Sequence, residues 1–282
     1  MTDTPNDNRD QREYWNGITG ERWVKNQPTM DRAIRPFGRA AMDRLRLTPG
    51  EHVLDVGCGS GDTVLELAER LGPTGKVVGA DISRPMLDHA RVRTANIPGI
   101  RLLEADVSTH AFDEPFDAIF SRFGVMFFAQ PVPAFAHLRR ALASGGRLAF
   151  VCWQNLDANP WSALPLAAAR PVLVKQPEPI VPGAPGPFAF ADRDHVHRIL
   201  SGAGFSDIDI TPFVAPYVLS EEGVEAAIDQ ALRIGPVSRV LAEQPDAVKA
   251  SIRERLGAAF EGAAEGQRVA LDGAVWVVAA RA

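Results

Sequence analysis

Apolar positions between residues 11 and 47 recur at helical spacing, through Tyr14, Trp15, Trp23, Ile34, Phe37, Met42 and Leu45. They predict helix up to the breaker Pro49-Gly50. The period then changes. Short apolar runs at His52–Val56, Lys76–Ala80, Ile100–Glu104, Asp117–Phe120 and Arg147–Trp153 predict strands. Asp62–Leu71, Arg84–Arg93 and Val132–Leu142 predict helices between them, with stops at Gly72-Pro73 and Ser144-Gly145-Gly146. Strands that alternate with helices demand crossovers, and so a mostly parallel α/β sheet with helices on both faces.

After Trp153 the pattern breaks. Pro160, Pro165, Pro171, Pro177, Pro179, Pro182, Pro185 and Pro187 predict an irregular loop or lid, expected to order on ligand binding together with the N-terminal helices. Asp194–Leu200 reads as helix and Ile208–Pro212 as strand. Glu221–Phe260 reads as a mostly helical insertion interrupted at Gly235-Pro236 and Pro245, and Val275–Ala280 as a final strand. The expected organisation is an N-terminal helical cap (1–50), a Rossmann-like core (51–153), a Pro-rich lid (154–192), a core continuation (193–220), a helical cap insertion (221–265) and a last core strand (266–282).

Composition changes this picture little. The 282 residues are 46% hydrophobic and 23% charged, with a formal net charge of −5. Without a Lys/Arg run to track phosphates, a nucleic-acid partner is disfavoured. Residues 1–10 are polar, which predicts disorder there and excludes a signal peptide, and no apolar run is long enough to span a bilayer. Cys58 and Cys152 do not make a disulfide framework. These features predict a soluble, cytoplasmic protein without a membrane partner. The oligomeric state stays open, a homodimer included.

The candidate chemistry starts where the first strand runs into Gly57-Cys58-Gly59-Ser60-Gly61 and a helix follows. Glycines there permit a tight turn and let a ligand approach the backbone, and free N–H groups at a helix start favour an anionic group. Alone, such a turn says little. Asp55, however, lies inside the apolar strand end, poised to organise the turn or meet an ammonium group. Asp81 ends the second strand, 20 residues beyond Gly61, where an acid meets ribose hydroxyls in nucleotide folds. Asp106 ends the third strand, placed to accept from an adenine amino group.

This combination resembles the class I S-adenosylmethionine-dependent methyltransferases. The segments that carry the resemblance are Asp55-Val56-Gly57-Cys58-Gly59-Ser60-Gly61, Gly79-Ala80-Asp81-Ile82-Ser83, Glu104-Ala105-Asp106-Val107, Phe116-Asp117-Ala118-Ile119-Phe120-Ser121 and Leu138–Leu142 before Gly145-Gly146. The resemblance implies a Rossmann-like seven-stranded sheet whose last strand is antiparallel, and S-adenosyl-L-methionine as cofactor with S-adenosyl-L-homocysteine as product. It implies that Gly57, Cys58, Gly59 and Gly61 cradle the methionyl part, Asp81 holds the ribose, Ile82 and Met86 touch the adenine, Asp106 and the Val107 N–H read its edge, and Ser121 lies near the amino-acid end. Trp15 with Gly20–Val24, Phe120–Phe128 and Ala274–Arg281 are similar to the ubiquinone/menaquinone-biosynthesis-like small-molecule group.

Methyl transfer from a sulfonium is an in-line displacement, so the protein mainly positions the acceptor. Candidate walls of the acceptor pocket are Tyr14, Trp15, Trp23, Arg122, Phe123, Met126, Phe127 and Trp153, with Phe188 and Phe190 from the lid. Their convergence predicts a small apolar or aromatic acceptor. His195 and His197 are two apart on a helix and make a poor metal pair, so no metal is expected, and His110 belongs to the adenine loop, so no catalytic base is assigned. Two other readings compete: a cofactor-binding module without chemistry, and a nicotinamide dinucleotide oxidoreductase. The second would need G-x-G-x-x-G, whereas here Asp62 follows Gly61 directly. A hydrolase elbow fails because Ser60 lacks glycines two residues away, and the P-loop Gly-Lys-Ser/Thr is absent.

Overall fold

The computed structural model describes residues 8–176, 181, 183–241 and 244–282. The expectations for residues 1–7, and for Pro177, Pro179 and Pro182 of the proline-rich stretch, lie outside the described residues.

The N-terminal helical region divides into α1 (Arg9–Asn16), α2 (Ile18–Lys25) and α3 (Gln27–Arg44). Gly17 leaves helical backbone at φ −88°, ψ −158°, and Asn26 at φ −108°, ψ 14°, which is why one periodic stretch becomes three helices. The core then alternates: β1 (His52–Val56), α4 (Asp62–Leu71), β2 (Lys76–Asp81), α5 (Arg84–Thr94), β3 (Ile100–Glu104), β4 (Phe116–Arg122), α6 (Pro131–Arg140) and β5 (Leu142–Trp153). Next come α7 (Pro160–Ala169), α8 (Arg193–Gly202), β6 (Ser206–Ser220), α9 (Val224–Arg233), α10 (Pro236–Leu241), α11 (Asp246–Glu261), the short β7 (Ala264–Glu265) and β8 (Arg268–Arg281).

The main sheet path runs β3-β2-β1-β4-β5-β8-β6, and β7 pairs with β8 as a small extra hairpin strand. Pairing is parallel from β3 through β5, whereas β8 is antiparallel to both β5 and β6. From β1 the chain steps one way to β2 and β3, then the other way from β4 to β5. Right-handed crossovers therefore put α4 and α5 on one face and α6 on the other. The order reverses between β1 and β4, and the crevice outside their carboxyl ends is where open α/β sheets receive ligands. Leu54, Ile119, Phe120, Phe150 and Val278 are wholly buried in the centre of the sheet.

Two stretches depart from expectation. Residues 160–169, expected to be irregular, form α7. Pro160 occupies a first-turn position where its missing N–H costs nothing, and packing of α7 against α11 and β8 compensates for Pro165 inside the helix. β6 runs well past Pro212 to Ser220 and also contains Pro216. Both prolines are tolerated because β6 is an edge strand, paired among the described residues only with β8.

Candidate functional site

The turn after β1 is held by backbone. Gly57, Gly59 and Gly61 have φ of 69°, 52° and 84°, left-handed values that an L side chain adopts only with strain. Gly57 and Cys58 donate to the Ala80 carbonyl of β2 at 2.9 and 3.2 Å. On the other side lies the turn after β4: a Cβ on Gly57 would stand 2.8 Å from the Gly124 Cα. Ser121 fastens the two turns together, its Oγ donating to the Val56 carbonyl at 2.7 Å and accepting from the Gly124 N–H at 3.2 Å. Gly124 is a residue that sequence reasoning passed over, because its need for glycine comes from β1, far away in the chain.

Three acids stand around this turn. Asp55 is fully buried. Its Oδ2 accepts from Thr63 Oγ1 at 2.5 Å, while Oδ1 has no partner among the described residues. Burial pushes its pKa up to about 7, against the Thr63 hydrogen bond and the Arg122 charge. Asp81 accepts from the Gly59 and Ser83 N–H groups, each at 2.8 Å. Burial raises its pKa too, opposed by those two donors. Asp106 accepts from Ser108 Oγ at 2.6 Å and, through both carboxylate oxygens, from Asn8 Nδ2 at 2.9 Å. Asn8 in turn accepts the Ala129 N–H at 2.9 Å. Val107 and Met86 are buried beside this rim, and the Ile82 carbonyl accepts from Asn16 Nδ2 at 2.8 Å.

The N-terminal helices close over the same region. Asn16 Oδ1 accepts the Arg84 N–H at 2.9 Å, and Ser83 Oγ donates to the Trp15 carbonyl at 2.8 Å. The rings of Tyr14 and Trp23 meet Trp15 edge-on, and Trp15 meets Phe127 at 5.2 Å. Met126 is buried.

Arg122 does not stand beside these rings. Its guanidinium is buried and bridges Asp31 of α3 at 3.1 Å and Asp62 of α4 at 2.9 Å. Arg35 reaches Asp62 at 2.6 Å, Arg93 donates to the Ser60 carbonyl at 2.6 Å, and Gln27 bonds Asp31. Burial works to raise the Asp62 pKa, but the Arg35 hydrogen bond and the Arg122 charge outweigh it and the net shift is downward. The network ties α3 to the glycine turn, and Gly38 makes room for it, since a Cβ there would lie 2.7 Å from Arg122 Cδ.

Phe123 and Trp153 belong to a second aromatic group. They stack at 4.3 Å and 11°, although Phe123 must adopt a left-handed φ of 65° to do so. Phe37 of α3 packs edge-on to both rings. Trp161 of α7 and Tyr217 of β6 extend the group, stacked on each other at 4.4 Å and 13°. These last two were not singled out in the sequence; no local pattern links α7 to β6. Phe190 lies in the core among Phe135 and Phe150, and the His110 carbonyl accepts from the His137 ring at 2.7 Å. Among the described residues, no cluster of three or more His, Cys, Asp or Glu has metal-ligand spacing, and no helix is long and apolar enough to cross a membrane.

The turn fits a cofactor that brings both an ammonium and hydrogen-bonding groups. The Asp55 Oδ1 and the Ser60 Oγ are buried with no partner among the described residues, an arrangement that costs free energy unless a ligand completes it. Residues 53–146 match a methyltransferase domain family model. The chain is 36% identical over 118 residues to the aklanonic acid methyltransferase DauC of a Streptomyces species, covering 41% of this chain and 54% of that one. It thus spans about half the length of that relative. It is 27% identical over 185 residues to the demethylmenaquinone methyltransferase of Staphylococcus carnosus, covering 62% and 76%. Its fold is similar to that of phosphoethanolamine N-methyltransferase 2 of Haemonchus contortus in complex with S-adenosyl-L-methionine, with a TM-score of 0.53, 17% identity, and coverage of 98% and 60%. With its strand order and its glycine turn, the chain is similar over residues 53–146, about a third of its length, to the methyltransferase domain family.

Proposed function

We propose that the protein transfers the methyl group of S-adenosylmethionine to a small, apolar or aromatic acceptor. The observation that carries this reading is the set of three acids, Asp55, Asp81 and Asp106, at the ends of neighbouring strands around one left-handed glycine turn. In this reading Gly57, Cys58, Gly59 and Gly61 lie against the methionyl part, and the free Oδ1 of Asp55 receives its ammonium. Asp81 holds the ribose hydroxyls with Ile82 and Met86 along the adenine, while Asp106 and the Val107 N–H read the adenine edge. Ser121 acts on the cofactor indirectly, by locking the β4 turn to β1.

The cofactor supplies an activated methyl on a sulfonium, and the chain's own task is to bind, orient and dry the site. Holding the partners in line contributes about 7–11 kcal/mol. The covering helices α1 and α2 exclude water, and the Phe123–Trp153 stack gives the acceptor a flat apolar wall. No side chain is assigned as a base, since a base is required only when the acceptor loses a proton. A cytoplasmic setting, action without nucleic acid, and either a monomer or a homodimer belong to the same proposal.

The test is transfer of tritiated methyl from S-adenosylmethionine to a panel of quinols, phenols, indoles and amines. Labelled product with a phenol or quinol supports the reading. Tight cofactor binding with no S-adenosylhomocysteine released by any acceptor would make the protein a binding module instead.

A further inference from the structure

Asp55 and Arg122 stand on neighbouring strands at one face of the sheet. Asp55 of β1 pairs with Phe120 of β4, and laterally paired residues of parallel strands share a face. Arg122 lies two residues beyond Phe120, at the end of β4, and so projects from that same face. Two consecutive residues at the start of α4 then sort the pair. Thr63 Oγ1 donates to Asp55 Oδ2 at 2.5 Å, and Asp62 accepts from Arg122 at 2.9 Å. The first turn of α4 thereby sets a cation, its side chain only 9% exposed, beside a fully buried acid.

Among the described residues no hydrogen bond joins the two. Arg122 directs its guanidinium to Asp62 and to Asp31 of α3, while Asp55 Oδ1 has no partner. Arg93 of α5 reaches Asp31 at 3.2 Å and Asp62 at 3.6 Å, and Arg35 reaches Asp62 at 2.6 Å. In this cluster the guanidinium groups of Arg35, Arg93 and Arg122 meet the carboxylates of Asp31 and Asp62, which leaves positive charge in excess. An ionised Asp55 balances it. The other ionisable groups around Asp55 are Asp81 of β2 and Asp62, both adverse to its charge, and the Cys58 thiol, which burial keeps protonated. Burial is the largest influence on Asp55 and drives it toward the neutral form; beside the Thr63 hydrogen bond, Arg122 supplies the opposing charge. An arginine salt-bridged to Asp55 would oppose burial too, but it would fill the oxygen that an ammonium needs.

We infer that Arg122 is a positioning residue for the cofactor's amino-acid end: held off Asp55 by Asp31 and Asp62, it lends that acid the field of a cation without occupying the oxygen left for the ammonium. Asp31 comes from α3, so this placement depends on α3 being packed against β4. The inference rests on the methyltransferase reading above.

The experiment is calorimetry on the full chain from about pH 5.5 to about pH 8 with two ligands: S-adenosylhomocysteine, which carries the ammonium, and methylthioadenosine, which lacks it. In the wild type, S-adenosylhomocysteine affinity should fall below about pH 7 as Asp55 takes up a proton, while methylthioadenosine affinity stays level. Arg122→Gln should move that midpoint up by about one pH unit, a loss of about tenfold at pH 6 for S-adenosylhomocysteine alone. Arg122→Lys, which keeps the charge, should return it toward the wild-type value. Asp62→Asn removes an adverse charge and should move the midpoint down, a test of sign that stands even where Arg122→Gln does not fold. Parallel losses of both ligands in Arg122→Gln, with the midpoint unmoved, would make Arg122 a structural residue only and overturn the inference, as would an unmoved or raised midpoint in Asp62→Asn. A wild type that binds neither ligand overturns the methyltransferase reading. One that binds both, with no pH step confined to S-adenosylhomocysteine, overturns this inference alone.

Discussion

The carboxyl ends of β1, β2 and β3 and those of β5 and β6 belong to one sheet but are built from different materials. At the first, the shape is set by backbone: left-handed glycines, N–H groups donated to Asp81, and a carbonyl of β2 that receives the turn. At the second, the shape is set by rings from α3, β5, α7 and β6, with the buried Tyr217 and Gln230 leaning on the Met30 thioether. A backbone-built site tolerates almost no substitution, because every atom is tied to chain geometry. A ring-built site can exchange one apolar wall for another at modest cost. The first suits an invariant ligand and the second a ligand that differs from one protein to the next.

Two glycines give the sharpest form of this contrast. Gly57→Ala combines a φ of 69° with a Cβ 2.8 Å from the Gly124 Cα. Left-handed strain of about 1–2 kcal/mol and overpacking of about 1–3 kcal/mol together predict a loss of about 2–5 kcal/mol. Gly235 of the cap has a φ of 104° but nothing within 4 Å of its Cβ position, so Gly235→Ala carries the strain alone. Urea unfolding of the two variants measures the difference, and equal losses would break the comparison.

Asp55 offers a test by pH. Unfolded, it titrates near 3.8; folded, its burial moves it to about 7. Between those values the folded state holds the extra proton, so the Asp55 contribution to stability falls as pH rises from about 4 to about 7 and is flat above. The drop amounts to at most about 4 kcal/mol. Subtracting the curve of Asp55→Asn from that of the wild type isolates it, and parallel curves would show that Asp55 is ionised at all these pH values. An ammonium arriving beside Oδ1 favours the carboxylate. Calorimetry at pH 6 in buffers of different ionisation enthalpy should therefore detect proton release when S-adenosylmethionine binds.

The same division explains what could be read from the sequence. The alternation of strands and helices in the core, the glycine turn and the acids at the ends of β1, β2 and β3 all depend on residues within a few positions of one another, and local periodicity and spacing report such features. The final antiparallel strand followed from the family resemblance. The aromatic group was legible only in part. Phe123 and Trp153 end strands that the pattern locates, whereas Trp161 and Tyr217 meet only because α7 docks on the β6–β8 edge, a tertiary event with no local signature. Arg122 shows the opposite difficulty. Its position at the end of β4 makes it a candidate wall residue, but its partners Asp31 and Asp62 come from two other helices, and their charges draw it into the ion network.

A smaller effect is expected at Asp81. Asp81→Ala removes the acceptor of the Gly59 and Ser83 N–H groups and, in the proposed arrangement, the ribose partner. S-adenosylmethionine affinity by calorimetry should fall more than about tenfold, or about 1.4 kcal/mol, while the near-ultraviolet circular dichroism of the packed rings at the other end keeps its intensity. Unchanged cofactor affinity would remove Asp81 from the ribose assignment. A parallel fall at both ends would mean that they are one cooperative structure rather than two.

The smallest expected effect lies where the N-terminal segment meets the cofactor side. The Asn8 carboxamide donates to both oxygens of Asp106 and accepts the Ala129 N–H. It presents a flat donor-acceptor edge to the acid assigned to the adenine amino group, so it can stand in for that edge when the site is free. Asn8→Ala removes this internal competitor and should raise adenosine and S-adenosylmethionine affinity by about two- to fivefold. The gain should vanish when Asp106→Ala is combined with it, because the competition acts through that carboxylate, and a double-mutant cycle reads the coupling directly. A loss of affinity in Asn8→Ala would reverse the picture: the carboxamide would then clamp the bound adenine rather than imitate it. In that case even the backbone-built end of the site would depend on a side chain delivered from α1's start, and the contrast between the two ends would hold for the glycine turn alone.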